Sequence, residues 1–287
     1  MHHHCELGRN WETGLYKHLL TALNLEKPSD VPLQTGLRLA GEYGSALRVV
    51  SVVRSALLVP KGFFQAEMVD KDELLEEARQ ALRSRAEYAG SKHLDFDVLV
   101  GNPSEVIASS AQHRGSDLIV MGAHPRSRSE MIFGTTATNV LRLARPVDIY
   151  ACHRPDPHVP VKRVLVAVDG SNLTPHVLSE IEHLMHSNLT AEPVEVRIVC
   201  VVKGHKAGPV ADAFYQFVAA SGLASEPHQV VTGAAVPCLE EQVAAFDADL
   251  LVVGAGNHFG LTWYVASTSN RVLHEAACDV LVIRPDE

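Results

Sequence analysis

The chain has few cysteines, and they follow no pairing pattern. Its 287 residues include five of them (Cys5, Cys152, Cys200, Cys238 and Cys278), an odd number, widely spaced and with no C-x-x-C pair. A disulfide framework is therefore not expected, and a reducing compartment fits. Runs of lysine and arginine are missing too, and the net charge is −9 at neutral pH. A nucleic-acid phosphate backbone and an anionic membrane are poor partners on those electrostatics. No apolar stretch approaches the ~20 residues needed to span a bilayer. The opening MHHHCELGRNWETG lacks a basic stretch followed by an apolar one, so no secretory signal is expected, and His2-His3-His4 reads as part of a flexible end. No G-x-S-x-G, Walker A or H-E-x-x-H motif occurs, which lowers the expectation of a hydrolase.

What is present is ordinary globular composition, with 46% apolar and 21% charged residues. The length suits one large domain or two of usual size. Self-comparison chooses two. YKHLLTALN (16–24) matches VKRVLVAVD (161–169), and GSDLIVMGAH (115–124) matches DADLLVVGAG (247–256). Lys17 falls on Lys162, 145 residues on, and Asp117 on Asp249, 132 residues on, so the second copy is 13 residues shorter in its middle. The register then continues without a gap, Thr136 meeting Thr268 and Ala144 meeting Ala276. The expected division is an N-terminal segment (1–15), copy one (16–153), a linker (154–160) and copy two (161–287). HRPDPHVP (153–160) holds three prolines and reads as extended.

Within each copy, short apolar runs alternate with amphipathic stretches. Copy one reads as strands at 18–24, 46–53, 95–101, 117–123 and 146–153, with helices at 31–44, 70–90, 103–115 and 134–145. Gly44 is the expected C-cap of the first helix. Copy two reads as strands at 162–169, 194–202, 228–233, 249–255 and 278–284, its second helix shortened to 211–222, which would account for most of the missing residues. The fold class is α/β: two tandem doubly wound, Rossmann-like domains, each with a five-stranded, mainly parallel sheet. Ligands of such sheets bind beyond the carboxyl ends of the strands, where strand order reverses.

The loops at those ends carry a family resemblance. The pieces are VAVDGS (166–171), VMGAH (120–124), Gly134-Thr135-Thr136 opening a helix, VLRLAR within it, and the closing strands PVDIYAC and CDVLVIRP. Their order and spacing, found twice, resemble a tandem universal stress protein. The resemblance covers the chain from about Tyr16. It implies a cytoplasmic stress-response protein that binds ATP, with Mg²⁺ if ATP is bound, in at most one of two sites, as sensor or regulator and with slow hydrolysis at most. It also implies that the last strands of the two copies pair antiparallel as an internal pseudo-dimer, with further homodimerisation left open. The other reading is a nucleotide-free interaction scaffold of the same family.

ATP-binding members of that family carry Gly-x2-Gly-x9-Gly-Ser/Thr after strand four. Glycines let backbone N–H groups approach phosphate oxygens, and the following helix adds its positive dipole end. Neither copy keeps the pattern. Copy one has Asn24 for the strand-one aspartate, then Gly122, Ala123, His124, Pro125, Arg126, eight residues between Pro125 and Gly134, then Thr135 and Thr136. Pro125 removes a donor, whereas Arg126 and Arg128 offer phosphate contacts. Copy two keeps Asp169, Gly170, Ser171, Gly254 and Gly256, but has Asn257 and Ala266 where glycines belong, followed by Ser267 and Thr268. Asn257 tolerates a positive φ and is the milder loss.

The remaining features have plainer readings. His176, Glu180 and His183 share a helix face with metal-ligand spacing but read as solvated, opposite Val177, Ile181, Leu184 and Met185. His124 in the copy-one loop and His258 near its copy-two counterpart either contact a ligand or simply sit in exposed loops. Cys152 and Cys278 lie in apolar strands and read as inert. Glu73, Glu76, Glu77, Arg79, Arg83 and Arg85 read as a solvated helix face.

Overall fold

The computed structural model describes residues 16–27, 29–54, 71–91, 93–123, 135–171, 174–186, 194–202, 207–255 and 276–284. Copy one runs β1 (His18–Ala22), α1 (Val31–Tyr43), β2 (Ala46–Arg54), α2 (Lys71–Tyr88), β3 (Asp95–Gly101), α3 (Pro103–His113), β4 (Leu118–Gly122), α4 (Thr135–Leu143) and β5 (Asp148–Cys152). Copy two runs β6 (Arg163–Val168), α5 (Thr174–His186), β7 (Glu195–Val202), α6 (Ala207–Ala220), β8 (His228–Thr232), α7 (Ala235–Phe246), β9 (Leu250–Gly254) and β10 (Asp279–Ile283).

Local chemistry explains the element ends. Gly44 closes α1 at φ 64°, its N–H on the Ala40 carbonyl, as expected of a C-cap. Asn102 opens α3 by accepting the Ser104 N–H, with Pro103 at the first helical position. The central strands are buried on both faces, which is why they read as unbroken apolar runs.

All ten strands form one sheet, in the order β3-β2-β1-β4-β5-β10-β9-β6-β7-β8. Pairing is parallel within each copy. β5 and β10 pair antiparallel, with Val280 opposite Ala151, Leu281 opposite Tyr150 and Val282 opposite Ile149. The core is continuous across that seam on both faces. One layer joins Leu20, Ile119, Ile149, Val280, Leu251 and Leu165 to α3, α4 and α7. The other joins Leu19, Val120, Tyr150, Leu281, Val252 and Val166 to α1, α5 and α6. The two copies thus share one core rather than touching as separate bodies.

The repeated aspartates have a structural job. Asp117 accepts the N–H groups of Lys17 (2.7 Å) and His18 (3.0 Å). Asp249 accepts those of Lys162 and Arg163, both at 2.9 Å. Each thereby fixes the entry of its copy's first strand beside the fourth.

Four expectations need correction. Copy two is shorter chiefly because four residues (203–206) separate Val202 from Ala207, where sixteen (55–70) separate Arg54 from Lys71. The helix contributes less, since α6 begins at Ala207 and has 14 residues against 18 in α2. The join between copies is a turn, not an extended linker. Arg154 donates to the carbonyls of Val159 (2.8 Å) and Pro160 (3.4 Å), and the His158 N–H meets Asp156 at 2.9 Å. The α5 face is not solvated, because Glu180 is only 2% exposed and lies within electrostatic reach of Tyr16 from copy one. Docking of the copies covers a face that a lone domain would leave to water. Lastly, Arg79 and Arg83 do meet Glu76 on the surface of α2, but Arg85 turns inward.

Candidate functional site

Strand order reverses between β1 and β4 in copy one, and between β6 and β9 in copy two. A crevice is expected beyond the carboxyl ends of each pair. Register brings the relevant residues to those ends. Ala22 pairs with Met121, so Asn24 and Gly122 lie together past the edge. Ala167 pairs with Val253, which does the same for Asp169 and Gly254.

The loop after each first strand opens with the same turn. Asn24 Oδ1 accepts the Glu26 N–H and Asp169 Oδ1 accepts the Ser171 N–H, both at 3.0 Å. Asn and Asp make this turn equally well, so the exchange costs copy one its charge and not its loop shape. The surroundings differ. In copy one, Arg85 of α2 donates to the carbonyls of Leu25 (3.2 Å) and Lys27 (2.8 Å) and pairs with Asp30 at 3.0 Å. That guanidinium ties the loop to α2, and Asn24 is half-buried. In copy two, Asp169 is exposed. Its loop rests on α6 through Gly170, at φ 69°, where a Cβ would lie 2.7 Å from Val210 Cγ1 and 2.9 Å from the Val210 carbonyl oxygen.

Gly122 and Gly254 are half-buried at the ends of β4 and β9. The next residues fasten to the last strands, the Ala123 N–H to Cys152 O (3.0 Å) and the Ala255 N–H to Ile283 O (2.9 Å). Thr135 begins α4, and Thr136 is half-buried in its first turn. Of the other expected site residues, His124, Arg126, Gly134, Gly256, Asn257, Ser267 and Thr268 lie outside the described residues, as do Pro125, Arg128, His258 and Ala266. His176 and His183 are engaged with backbone, the former with Arg284 O at 2.9 Å and the latter with Ser179 O at 2.6 Å.

Residues that sequence reasoning missed line the seam. Asp148, fully buried, accepts the Tyr16 hydroxyl at 2.9 Å and the Arg284 N–H at 2.8 Å. Its counterpart Asp279 accepts the Tyr150 hydroxyl (2.8 Å), the N–H groups of His153 (2.8 Å) and Arg154 (2.9 Å), and Arg154 Nε (3.1 Å). The signal was there: one aspartate at the head of an otherwise apolar last strand, in both copies. Burial, aided by Asp148 and then Glu180, holds the Tyr16 phenol well above its usual range. Burial and then Asp279 do the same for Tyr150. Burial also pushes the Cys152 and Cys278 thiols up to about 12, so neither is a ready thiolate.

Comparison with known proteins decides the family. A model of the universal stress protein family matches residues 15–147 and again 160–284. The chain belongs to the universal stress protein family. Universal stress protein A homolog 2 of Coxiella burnetii is 31% identical over 135 residues, 45% of this chain and 90% of that protein. A universal stress protein from Archaeoglobus fulgidus superposes with TM-score 0.71 at 18% identity, over 97% of this chain and 99% of that one. A protein of unknown function from Pseudomonas aeruginosa gives 0.65 at 19% identity, over 94% and 93%. The two-copy universal stress protein fold is therefore shared along nearly the whole chain. Among the described residues no helix is long and apolar enough to cross a membrane.

Proposed function

We propose that this universal stress protein binds an adenine nucleotide in copy two alone, and acts in the cytoplasm as a nucleotide-linked regulator of a stress response. One observation carries the reading: Asp169 is an exposed carboxylate, held by an Asx turn beside Gly254 where strand order reverses. A carboxylate so placed accepts hydrogen bonds from nucleoside hydroxyl or amino groups. Gly254, Gly256, Asn257, Ser267 and Thr268 are the sequence's means of holding phosphates, and Mg²⁺ would share their charge. The residues of copy one fit the same ligand poorly. Asn24 carries no charge, Arg85 ties down the loop, and Pro125 lacks an N–H. Copy one then serves as the structural partner that completes the sheet.

Native mass spectrometry with and without Mg-ATP tests this. One added nucleotide mass per chain is expected. No added mass, with an unchanged melting temperature at millimolar Mg-ATP, would leave the scaffold reading in its place.

A further inference from the structure

The two outer edges of the sheet are finished differently. β3 closes one edge and β8 the other. The β3 edge is studded with charge. Arg48 meets Asp95 and, at 3.0 Å, Asp97; Arg114 meets Asp97 at 2.7 Å; and the Arg83 guanidinium lies over the Phe96 ring. Helix α2 continues the pattern, so that residues 71–101 include twelve Asp, Glu, Lys or Arg. Charges along an edge strand hinder a further strand from pairing there.

The β8 edge has no such guard. Over 207–232, which carries α6 and β8, the only Asp, Glu, Lys or Arg residues are Asp212 and Glu226. The outer face of α6 exposes Tyr215, Gln216 and Ala219 beside Asp212. Tyr215 is 46% exposed, and its ring stands 5.9 Å from that of His228 on β8. The backbone of β8 is open as well. The Ile198 N–H donates to the Pro227 carbonyl at 2.9 Å, and the Gly233 N–H to the Val202 carbonyl at 3.0 Å. Alternate residues of a parallel ladder face the neighbouring strand, so Gln229 and Val231 face β7, while His228, Val230 and Thr232 turn their N–H and C=O outward. Among the described residues no strand receives them.

We propose that the β8 edge, with the outer face of α6, is the surface on which a second copy of this chain docks, β8 running antiparallel to β8. The choice of occupant follows from symmetry. A two-fold axis through Val230 sets Val230 opposite its mate and His228 opposite Thr232. Each outward N–H and C=O then finds a partner, about six hydrogen bonds in all. Residues near such an axis meet their own copies, so a charge there would face its like and repel it. β8 carries no Asp, Glu, Lys or Arg. The same axis lays the two α6 helices side by side on one face of the sheet. That adds area, since a stable dimer needs on the order of 800 Å² from each partner. A five-residue strand gives less, and the 14-residue α6 supplies the remainder. The chain already makes one contact of this kind within itself, antiparallel across β5 and β10.

The test is sedimentation velocity of the full chain, without nucleotide, from about 1 to 100 μM. The mass of two chains is expected at the upper end, falling to one on dilution. Thr232→Lys places a cation on the edge, and Val230→Pro removes an outward N–H that β7 does not use. Each should raise the dimer dissociation constant at least ~10-fold. Leu99→Lys, an exposed position on β3, should leave it unchanged. If Val230→Pro does not fold, Thr232→Lys carries the comparison, and amide exchange of Val230 and Thr232 in the unaltered protein should slow as concentration rises. A single-chain mass at 100 μM overturns the proposal. So does a dimer that survives Thr232→Lys, or one lost in Leu99→Lys. Growth past two chains, the mark of β8 meeting β3 head to tail, overturns it too.

Discussion

The Tyr16 hydroxyl and the Asp148 carboxylate meet at 2.9 Å across 132 residues of chain, both buried, at the start of the first strand of copy one and the head of its last. Tyr150 and Asp279 meet in the same way at 2.8 Å, but across the seam. Removing one partner of such a pair should therefore loosen the seam itself.

Asp279→Ala leaves Arg154 Nε, the Tyr150 hydroxyl and two N–H groups without their acceptor. A loss of about 3–5 kcal/mol is expected. Tyr150→Phe should cost less, about 1–2 kcal/mol, because Asp279 keeps its other donors. Urea unfolding of both variants checks this. An Asp279→Ala protein within 1 kcal/mol of the parent would mean the network is not structural.

Gly170 marks a tight approach between the copy-two loop and α6. At φ 69° with Val210 so near, any side chain is strained and crowded. Gly170→Ala should destabilise by roughly 1–3 kcal/mol and weaken nucleotide binding as the Asp169 turn shifts. Gly41→Ala, on an exposed helical position with open space around it, is the control and should be neutral or better.

Alkali should unfold the protein by titrating its interior. The Cys152 and Cys278 thiols titrate near 12 when folded, against an ordinary value of 9.0. Between those values the unfolded chain has released protons that the folded chain keeps. It then binds fewer protons, so stability falls as pH rises from about 9 to 12. Tyr16 and Tyr150 act in the same direction, while Arg284, lowered to about 10, opposes them. Ultraviolet absorbance of phenolate should show part of the six tyrosines ionising only together with unfolding. Smooth titration of all six below the transition would contradict the burial of these two.

Much of this architecture was legible because strands buried on both faces read as apolar runs, and the repeat placed each one twice. HLLTA and RVLVAV needed no tertiary knowledge. The antiparallel seam was legible only through family resemblance. What the sequence hid was the effect of docking. Glu180 reads as a surface residue of a lone helix, yet it is buried within electrostatic reach of Tyr16, 164 positions earlier. Arg85 sits in a run of solvated charges, yet reaches back to the loop after β1. The join with its three prolines read as extended because Arg154 hydrogen bonds to Val159 and Pro160 are not written in any local pattern.

Asn24→Asp should restore charge to copy one without restoring function. The Asx turn is already made, so stability should change by no more than about 0.5 kcal/mol. Nucleotide stoichiometry should not rise, since Pro125 and the Arg85 tie remain. A second nucleotide bound by this variant would show that charge alone had silenced copy one.

Equilibrium binding of a fluorescent ATP analogue, with Mg²⁺, to the parent, Asp169→Ala and Asn24→Ala shows which copy holds the nucleotide. One nucleotide per chain is expected in the parent, with affinity at least ~10-fold weaker in Asp169→Ala and unchanged in Asn24→Ala. Loss of binding in Asn24→Ala with retention in Asp169→Ala, or two nucleotides per parent chain, would contradict it.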